Sequence, residues 1–200
     1  RPMTIIISGA KVSTKIVLIK KLLEKCDNMI LGGGILNTFL KAKGYEVGSS
    51  LLEEDFIQEA REILESDPTN KIVFPSDLLC QTKKGTANID VSSISENDAI
   101  YDIGTNSIDK IKDIVKESSS VFWNGPLGYV EKKPFNRGTE ELAKSIAEHN
   151  CFSIVGGGDT LPIIESLNLQ DNYDCLSTGG GSLLSYLEGD SLPILDKLNL

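Results

Sequence analysis

The feature that most constrains this chain is a recurrence. Short β-rich apolar runs, each closed by a turn of small or polar residues, alternate with stretches of helical period. The runs fall at residues 4–7, 29–31, 71–74, 99–101, 120–123 and 152–155, with a possible seventh at 173–176. Residues 14–25, 51–66, 107–117 and 139–148 carry apolar side chains at helical spacing. Alternation at this spacing predicts an α/β fold: a doubly wound, Rossmann-like parallel sheet of about six strands with helices on both faces. Residues 83–97 break the rhythm. They are polar and rich in Ser and Asn, and read as a loop or an added hairpin.

The segments that close these runs point to a ligand. They include Ser8-Gly9-Ala10-Lys11, Gly32-Gly33-Gly34, Asp102-Ile103-Gly104, Asn124-Gly125-Pro126 and Gly156-Gly157-Gly158-Asp159-Thr160. Beyond the possible seventh strand comes Ser177-Thr178-Gly179-Gly180-Gly181. In a parallel sheet these segments share one edge, where open α/β sheets bind ligands. Glycines let a ligand approach the backbone, and helix N-termini there favour phosphate. The whole chain is acidic, with a formal net charge of −9, so it repels a nucleic-acid backbone overall. An anion must therefore be held by local features at that edge.

Other classes fall away. No apolar run approaches the length of a membrane span, and no secretory leader is evident at the start. Cys26, Cys80, Cys151 and Cys175 form no C-x-x-C pair, so buried thiols in a reducing cytoplasm are expected. A single histidine, His149, excludes a His-rich zinc site and reads as a helix-end residue. The chain opens on Arg1-Pro2-Met3 rather than Met, and part of a longer protein is expected.

The common nucleotide motifs are not met. G-x-x-x-x-G-K-[ST] is absent, and each glycine triplet fails G-x-G-x-x-G at its last position, Asn37, Leu161 or Leu184. Lys11 and Lys15 are four residues apart at the first predicted helix start. Helical spacing would put both ammonium groups on one face, as movable charges for a phosphoryl group or as solvated lysines. Asp159 and Thr160 read either as helix caps or as a Mg²⁺ carboxylate with a hydroxyl donating to phosphate. Glu131 could accept from ribose hydroxyls, or be a surface acid. Trp123 reads as core, and Glu53 and Glu54 as a solvated helix start.

These segments together resemble the phosphoglycerate kinase family. Ser8-Gly9-Ala10-Lys11-Val12-Ser13-Thr14-Lys15 is similar to its G-G-A-K-V-S-D-K, and Gly32-Gly33-Gly34 with Thr38-Phe39-Leu40-Lys41 to its G-G-G-M-x-x-T-F-L-K. Trp123-Asn124-Gly125-Pro126-Leu127-Gly128 resembles W-N-G-P-x-G, and Arg137-Gly138-Thr139 its R-G-T. G-G-G-D-T and S-T-G-G-G also occur, all in family order. The resemblance implies the carboxy-terminal, nucleotide-binding half of a usually monomeric two-lobed kinase. That kinase moves a phosphoryl group between 1,3-bisphosphoglycerate and Mg·ADP. An amino-terminal lobe outside this chain would grip phosphoglycerate, so this chain alone would be inactive.

By position, the resemblance puts Lys11 near the transferred group and Lys15 at the nucleotide phosphates. Asp159 would be the Mg²⁺ ligand, with Thr160 and Gly158 beside it. Gly33, Gly34, Pro126 and Tyr129 would form the adenosine pocket, Asn124 would approach the phosphates and Glu131 the ribose. Gly9 and Ala10 would line the nucleotide, and the amides of Gly179, Gly180 and Gly181 would face the transferring group. A non-catalytic nucleotide-binding or interaction module is the competing reading. The sequence departs from the family at Ser8, Thr14, Ser76, Thr105, Tyr129 and Leu161-Pro162. Residues 1–181 are expected to form the nucleotide-binding domain. Residues 182–200, with Leu192, Ile194, Leu195 and Leu198, are expected to pack on the other lobe.

Overall fold

The computed structural model describes residues 2–189. Strand β1 (Met3–Ser8) carries Ile5, Ile6 and Ile7, all fully buried. A run with no exposed alternate residue belongs in the middle of a parallel sheet covered on both faces. It pairs in parallel with β2 (Asn28–Gly32) on one side and, on the other, with a later strand, β7 (Ser120–Asn124).

From this pair the sheet grows outwards in both directions. β3 (Ile72–Val73) adds to β2, while β8 (Phe152–Gly156) and β9 (Cys175–Ser177) extend from β7. The order β3-β2-β1-β7-β8-β9 reverses direction between β1 and β7. Right-handed crossovers then put the helices of the two halves on opposite faces. Helices α1 (Ile16–Leu23), α2 (Gly33–Ala42) and α3 (Ile57–Glu65) belong to the first half. In the second half, α4 (Thr105–Glu117) packs on α5 (Arg137–Glu148), and α5 on α6 (Leu161–Ser166); α7 (Gly180–Leu187) follows β9.

Three expectations change. The run at residues 99–101 is not a strand of the parallel sheet. As β6 (Ala99–Ile103) it pairs antiparallel with β4 (Asp77–Thr82), which also pairs with β5 (Gly85–Asp90) in a separate three-stranded sheet. The polar stretch after residue 83 is therefore an added hairpin, and the sixth parallel strand is β9, at the possible seventh run. The periodicity reading also omitted α2, which starts directly on the glycine triplet and is buried nearly all round, so it shows no polar face. The expected tail at residues 192–200 lies outside the described residues.

Asp77, on β4, ties the three-stranded sheet to the start of α4. Its carboxylate accepts from the N–H groups of Asn106 and Ser107, from Ser107 Oγ at 2.6 Å and from Asn88 Nδ2 at 2.6 Å. It caps α4 from a distance, where the residue before the helix, Gly104, has no side chain to do so. Trp123 is fully buried and donates from Nε1 to Gly125 O at 2.7 Å. His149 closes α5, as its place near a helix end predicted. Cys26, Cys80 and Cys151 are buried thiols, whereas Cys175 is exposed. Among the described residues, no helix is long and apolar enough to cross a membrane.

Candidate functional site

A cavity of about 380 Å³ opens where the segments after β1, β2, β7 and β8 converge. This is the point where strand order reverses, the ligand position of open α/β sheets. One wall is backbone: Gly9 and Ala10 after β1, against Gly33 and Gly34 at the start of α2. That approach requires glycine, because a Cβ on Gly34 would lie 2.2 Å from the Ala10 carbonyl oxygen. The segment from Pro126 to Tyr129 continues the lining beside it, with Leu127 O accepting from Gly33 N at 3.1 Å. Ile100, Tyr101 and Asp102 of β6 complete the lining with Leu36 and Leu51, and Glu131 and Asp159 add two exposed carboxylates. The result is an apolar slot with acids and backbone amides at its margin, a size and make-up typical of small-molecule sites.

Lys15 sits behind the backbone wall. Its ammonium donates to Ser8 O and, at 2.6 Å, to Asn124 Oδ1. Asn124 Nδ2 in turn donates to Gly156 O at 3.0 Å, so one chain of bonds ties the ends of β1, β7 and β8. Burial lowers the Lys15 pKa to about 8, against the opposing pull of Asp159. Lys11 and Lys15 do not share a helix face. Residues Val12–Thr14 form a 3-10 turn and α1 starts only at Ile16, so Lys11 is left exposed and Lys15 turned inward.

The expected residues divide into three groups. Gly9, Ala10, Gly33, Gly34, Pro126, Tyr129, Glu131 and Asp159 line the cavity. Lys15 and Asn124 lie in the bonded layer behind it, with Thr160, whose Oγ1 accepts from Gly125 N at 3.1 Å instead of capping α6. Lys11, Gly158, Gly179, Gly180 and Gly181 lie outside the lining; the last three form the start of α7 after β9. Asp159 is exposed at the margin, and no cluster of three or more potential metal ligands occurs among the described residues. Mg²⁺ commonly takes one or two carboxylates and completes its shell with waters and phosphates, so this donor set fits it.

Sequence reasoning missed four residues here. Asp102 is 2% exposed and accepts from Ile103 N at 2.9 Å and Gly138 N at 2.8 Å; burial raises its pKa to about 7. Tyr101 meets Tyr129 edge-on at 5.6 Å, making an aromatic wall. Leu51 is 60% exposed on the cavity lining. Glu53, read as a solvated helix start, instead receives Ser13 N and Ser13 Oγ on its two carboxylate oxygens, each at 2.8 Å. The R-G-T segment works as a brace: Thr139 Oγ1 accepts from Leu127 N at 3.0 Å, and Gly138 binds Asp102.

Comparison with known proteins agrees with the geometry. The family model described as Phosphoglycerate kinase matches residues 1–190. A phosphoglycerate kinase of Baumannia cicadellinicola is 43% identical over 200 residues, covering 99% of this chain and 51% of that protein. The Coxiella burnetii phosphoglycerate kinase is 38% identical over 205 residues, covering 99% of this chain and 52% of that one. The solved Coxiella burnetii phosphoglycerate kinase superposes with a TM-score of 0.94 at 36% identity, over 100% of this chain and 53% of its own. The Pyrococcus horikoshii OT3 enzyme gives 0.87 at 30% identity, over 100% and 52%. The chain spans about half the length of the curated relatives it matches.

Proposed function

This chain belongs to the phosphoglycerate kinase family, and from that premise we propose that it is the family's nucleotide-binding half, a site for Mg·ADP and Mg·ATP. The observation that carries this reading is the apolar slot at the strand-order reversal, with Lys15 bonded behind its glycine wall and Asp159 at its margin. An adenine ring would lie in the slot that Gly33, Gly34 and Pro126–Tyr129 line together, with Glu131 reaching the ribose. The phosphates then run towards Gly9, Ala10, Lys15 and Asn124. Asp159 would hold Mg²⁺, which when bound offsets phosphate charge; Gly158 and Thr160 shape the turn that presents it.

The reaction served is phosphoryl transfer between 1,3-bisphosphoglycerate and ADP in glycolysis. Lys11, and the amides of Gly179, Gly180 and Gly181 at the start of α7, neutralise charge on the group in transit. No side chain need act as a base, because the acceptor is already an anion. Catalysis is then positioning and charge stabilisation, with lobe closure excluding water. Phosphoglycerate is held mainly by an amino-terminal lobe outside this chain, on which residues 182–200 would pack; residues 1–181 form the nucleotide domain. The working protein is a cytoplasmic monomer with no nucleic-acid or membrane partner, and this chain alone does not turn over.

The test is a calorimetric titration of the chain with ADP, with and without Mg²⁺. Saturable binding that Asp159→Ala weakens only when Mg²⁺ is present supports the reading. A folded sample that binds no ADP overturns it.

A further inference from the structure

Glu53 stands outside the cavity, yet it lies on a covalent and hydrogen-bonded route that joins the base end of the site to its lysines. The Lys11–Lys15 segment is a 3-10 turn that starts without a side-chain cap of its own, since Lys11 cannot accept a bond. Its free N–H at Ser13 goes to Glu53 Oε2 at 2.8 Å, and Ser13 Oγ goes to Glu53 Oε1 at 2.8 Å. The Ser13 N–H, aimed at the carboxylate, holds the Glu53 pKa below the ordinary range, so the clamp is ionised throughout neutral pH.

The other side of Glu53 is anchored in α2. Glu53 N donates to Thr38 Oγ1 at 3.2 Å, and Thr38 Oγ1 donates to Gly34 O at 2.9 Å. Two residues earlier, Asn37 Nδ2 donates to Leu51 O at 2.9 Å, which fixes Leu51 on the cavity lining. The strand-side anchor is separate: Ile35 N donates to Gly9 O at 3.1 Å. Leu51 and Ser13 are thus held through one three-residue segment, 51–53.

We propose that Glu53 is a positioning residue: it clamps the Lys11–Lys15 turn to the loop that carries Leu51, so that base and phosphates of one nucleotide meet a single preorganised unit. The inference rests on the nucleotide reading of the cavity. It makes a prediction opposite to simple electrostatics. Glu53 is an anion beside the phosphate end, with Lys11 close enough to contribute to its ionisation. Removing that charge should by Coulomb's law tighten an anionic ligand. Loosening the lysine turn should weaken it.

The experiment compares ADP and adenosine binding by the unaltered chain, Glu53→Gln and Ser13→Ala, with a thermal melt on each. Glu53→Gln is expected to weaken ADP about tenfold while moving adenosine less than about twofold, and Ser13→Ala to weaken ADP by about threefold. In the Glu53→Gln background, Lys11→Ala should cost less ADP affinity than it does alone, because a loosened lysine contributes less. If Glu53→Gln does not fold, Ser13→Ala alone decides, and unchanged ADP affinity there overturns the inference. ADP binding that Glu53→Gln leaves equal or tightens overturns it too, with the nucleotide reading intact. An unaltered chain that binds no ADP overturns both.

Discussion

The Lys15 ammonium donates to Asn124 Oδ1 across 2.6 Å, linking the segment after β1 to the end of β7 beneath the glycine wall. The same burial that makes this bond depresses the lysine to about 8. A phosphate arriving nearby favours the ammonium and raises that value again. ADP binding at about pH 9 should therefore draw a proton from solution, and at about pH 6.5 should draw none through this group. Calorimetry in buffers of different ionisation enthalpy reads the uptake directly. Lys15→Met should abolish the component seen at the higher pH. An uptake that the variant retains would remove Lys15 from the phosphate site.

Asp102 has the opposite consequence for stability. Burial holds its pKa at about 7 against an ordinary 3.8. Between those values the folded chain keeps a proton that the unfolded chain has lost, so this carboxyl makes stability fall as pH rises from about 4 to about 7. The loss across that window is at most about 4 kcal/mol. Asp102→Asn cannot ionise and leaves one of two N–H groups, Ile103 or Gly138, poorly paired, at a cost of about 1–3 kcal/mol. The variant should be clearly less stable than the parent at about pH 5, and the gap should narrow or reverse at about pH 8. Urea midpoints at both values test this; an equal gap at the two would show that Asp102 stays ionised throughout.

The parallel sheet was legible because its strands are short apolar runs, four of which (β1, β2, β7 and β8) end on or next to glycine, and the sheet edge that collects those glycines is where the cavity opens. The misassigned strand shows what such runs lack. Residues 99–101 form an apolar run that leads to Gly104 much as other runs lead to glycine, but an apolar run carries no direction, and only pairing with β4 makes β6 antiparallel. Lys11 and Lys15 illustrate a second limit. Spacing of four implies a shared face only if the helix has already begun, and here it begins at Ile16. Glu53 illustrates a third. Its partner Ser13 is forty residues away, so no local pattern distinguishes a clamp from a solvated acid. Family resemblance named Gly34, Pro126 and Asp159, whereas Tyr101, Asp102 and Leu51 reach the cavity through the second sheet and its flanking loop.

Asp77 is expected to matter for folding rather than for the ligand. It accepts four bonds at the start of α4 while 4% exposed, and those bonds outweigh burial and keep its pKa below the ordinary value. Asp77→Ala leaves the buried Ser107 N–H and the part-buried Asn106 N–H without that acceptor. Stability should fall by about 2–4 kcal/mol, from the lost cap and the unmet donors together. Any ADP binding should persist in the folded fraction. Denaturant unfolding measures the loss; a change under about 0.5 kcal/mol would mean that α4 finds its cap elsewhere.

Two glycines allow conformational strain to be separated from crowding at the site. Gly44 and Gly125 adopt nearly the same left-handed backbone, with φ +97° and +94°. A Cβ on Gly44 would meet nothing within 4 Å, whereas one on Gly125 would lie 2.2 Å from Ser8 O and 3.4 Å from Lys15 Nζ. Gly44→Ala should therefore cost only the left-handed penalty of about 1–2 kcal/mol and leave ADP affinity unchanged. Gly125→Ala adds a collision with the carbonyl that accepts from Lys15. Ser8 must move, and the bonded layer beneath the cavity moves with it. The expected result is a larger stability loss than for Gly44→Ala, together with about tenfold weaker ADP binding. Unfolding midpoints and ADP titrations on the two variants give the comparison. If both lose the same stability and both bind ADP like the parent, the close approach of Gly125 to β1 does not shape the site.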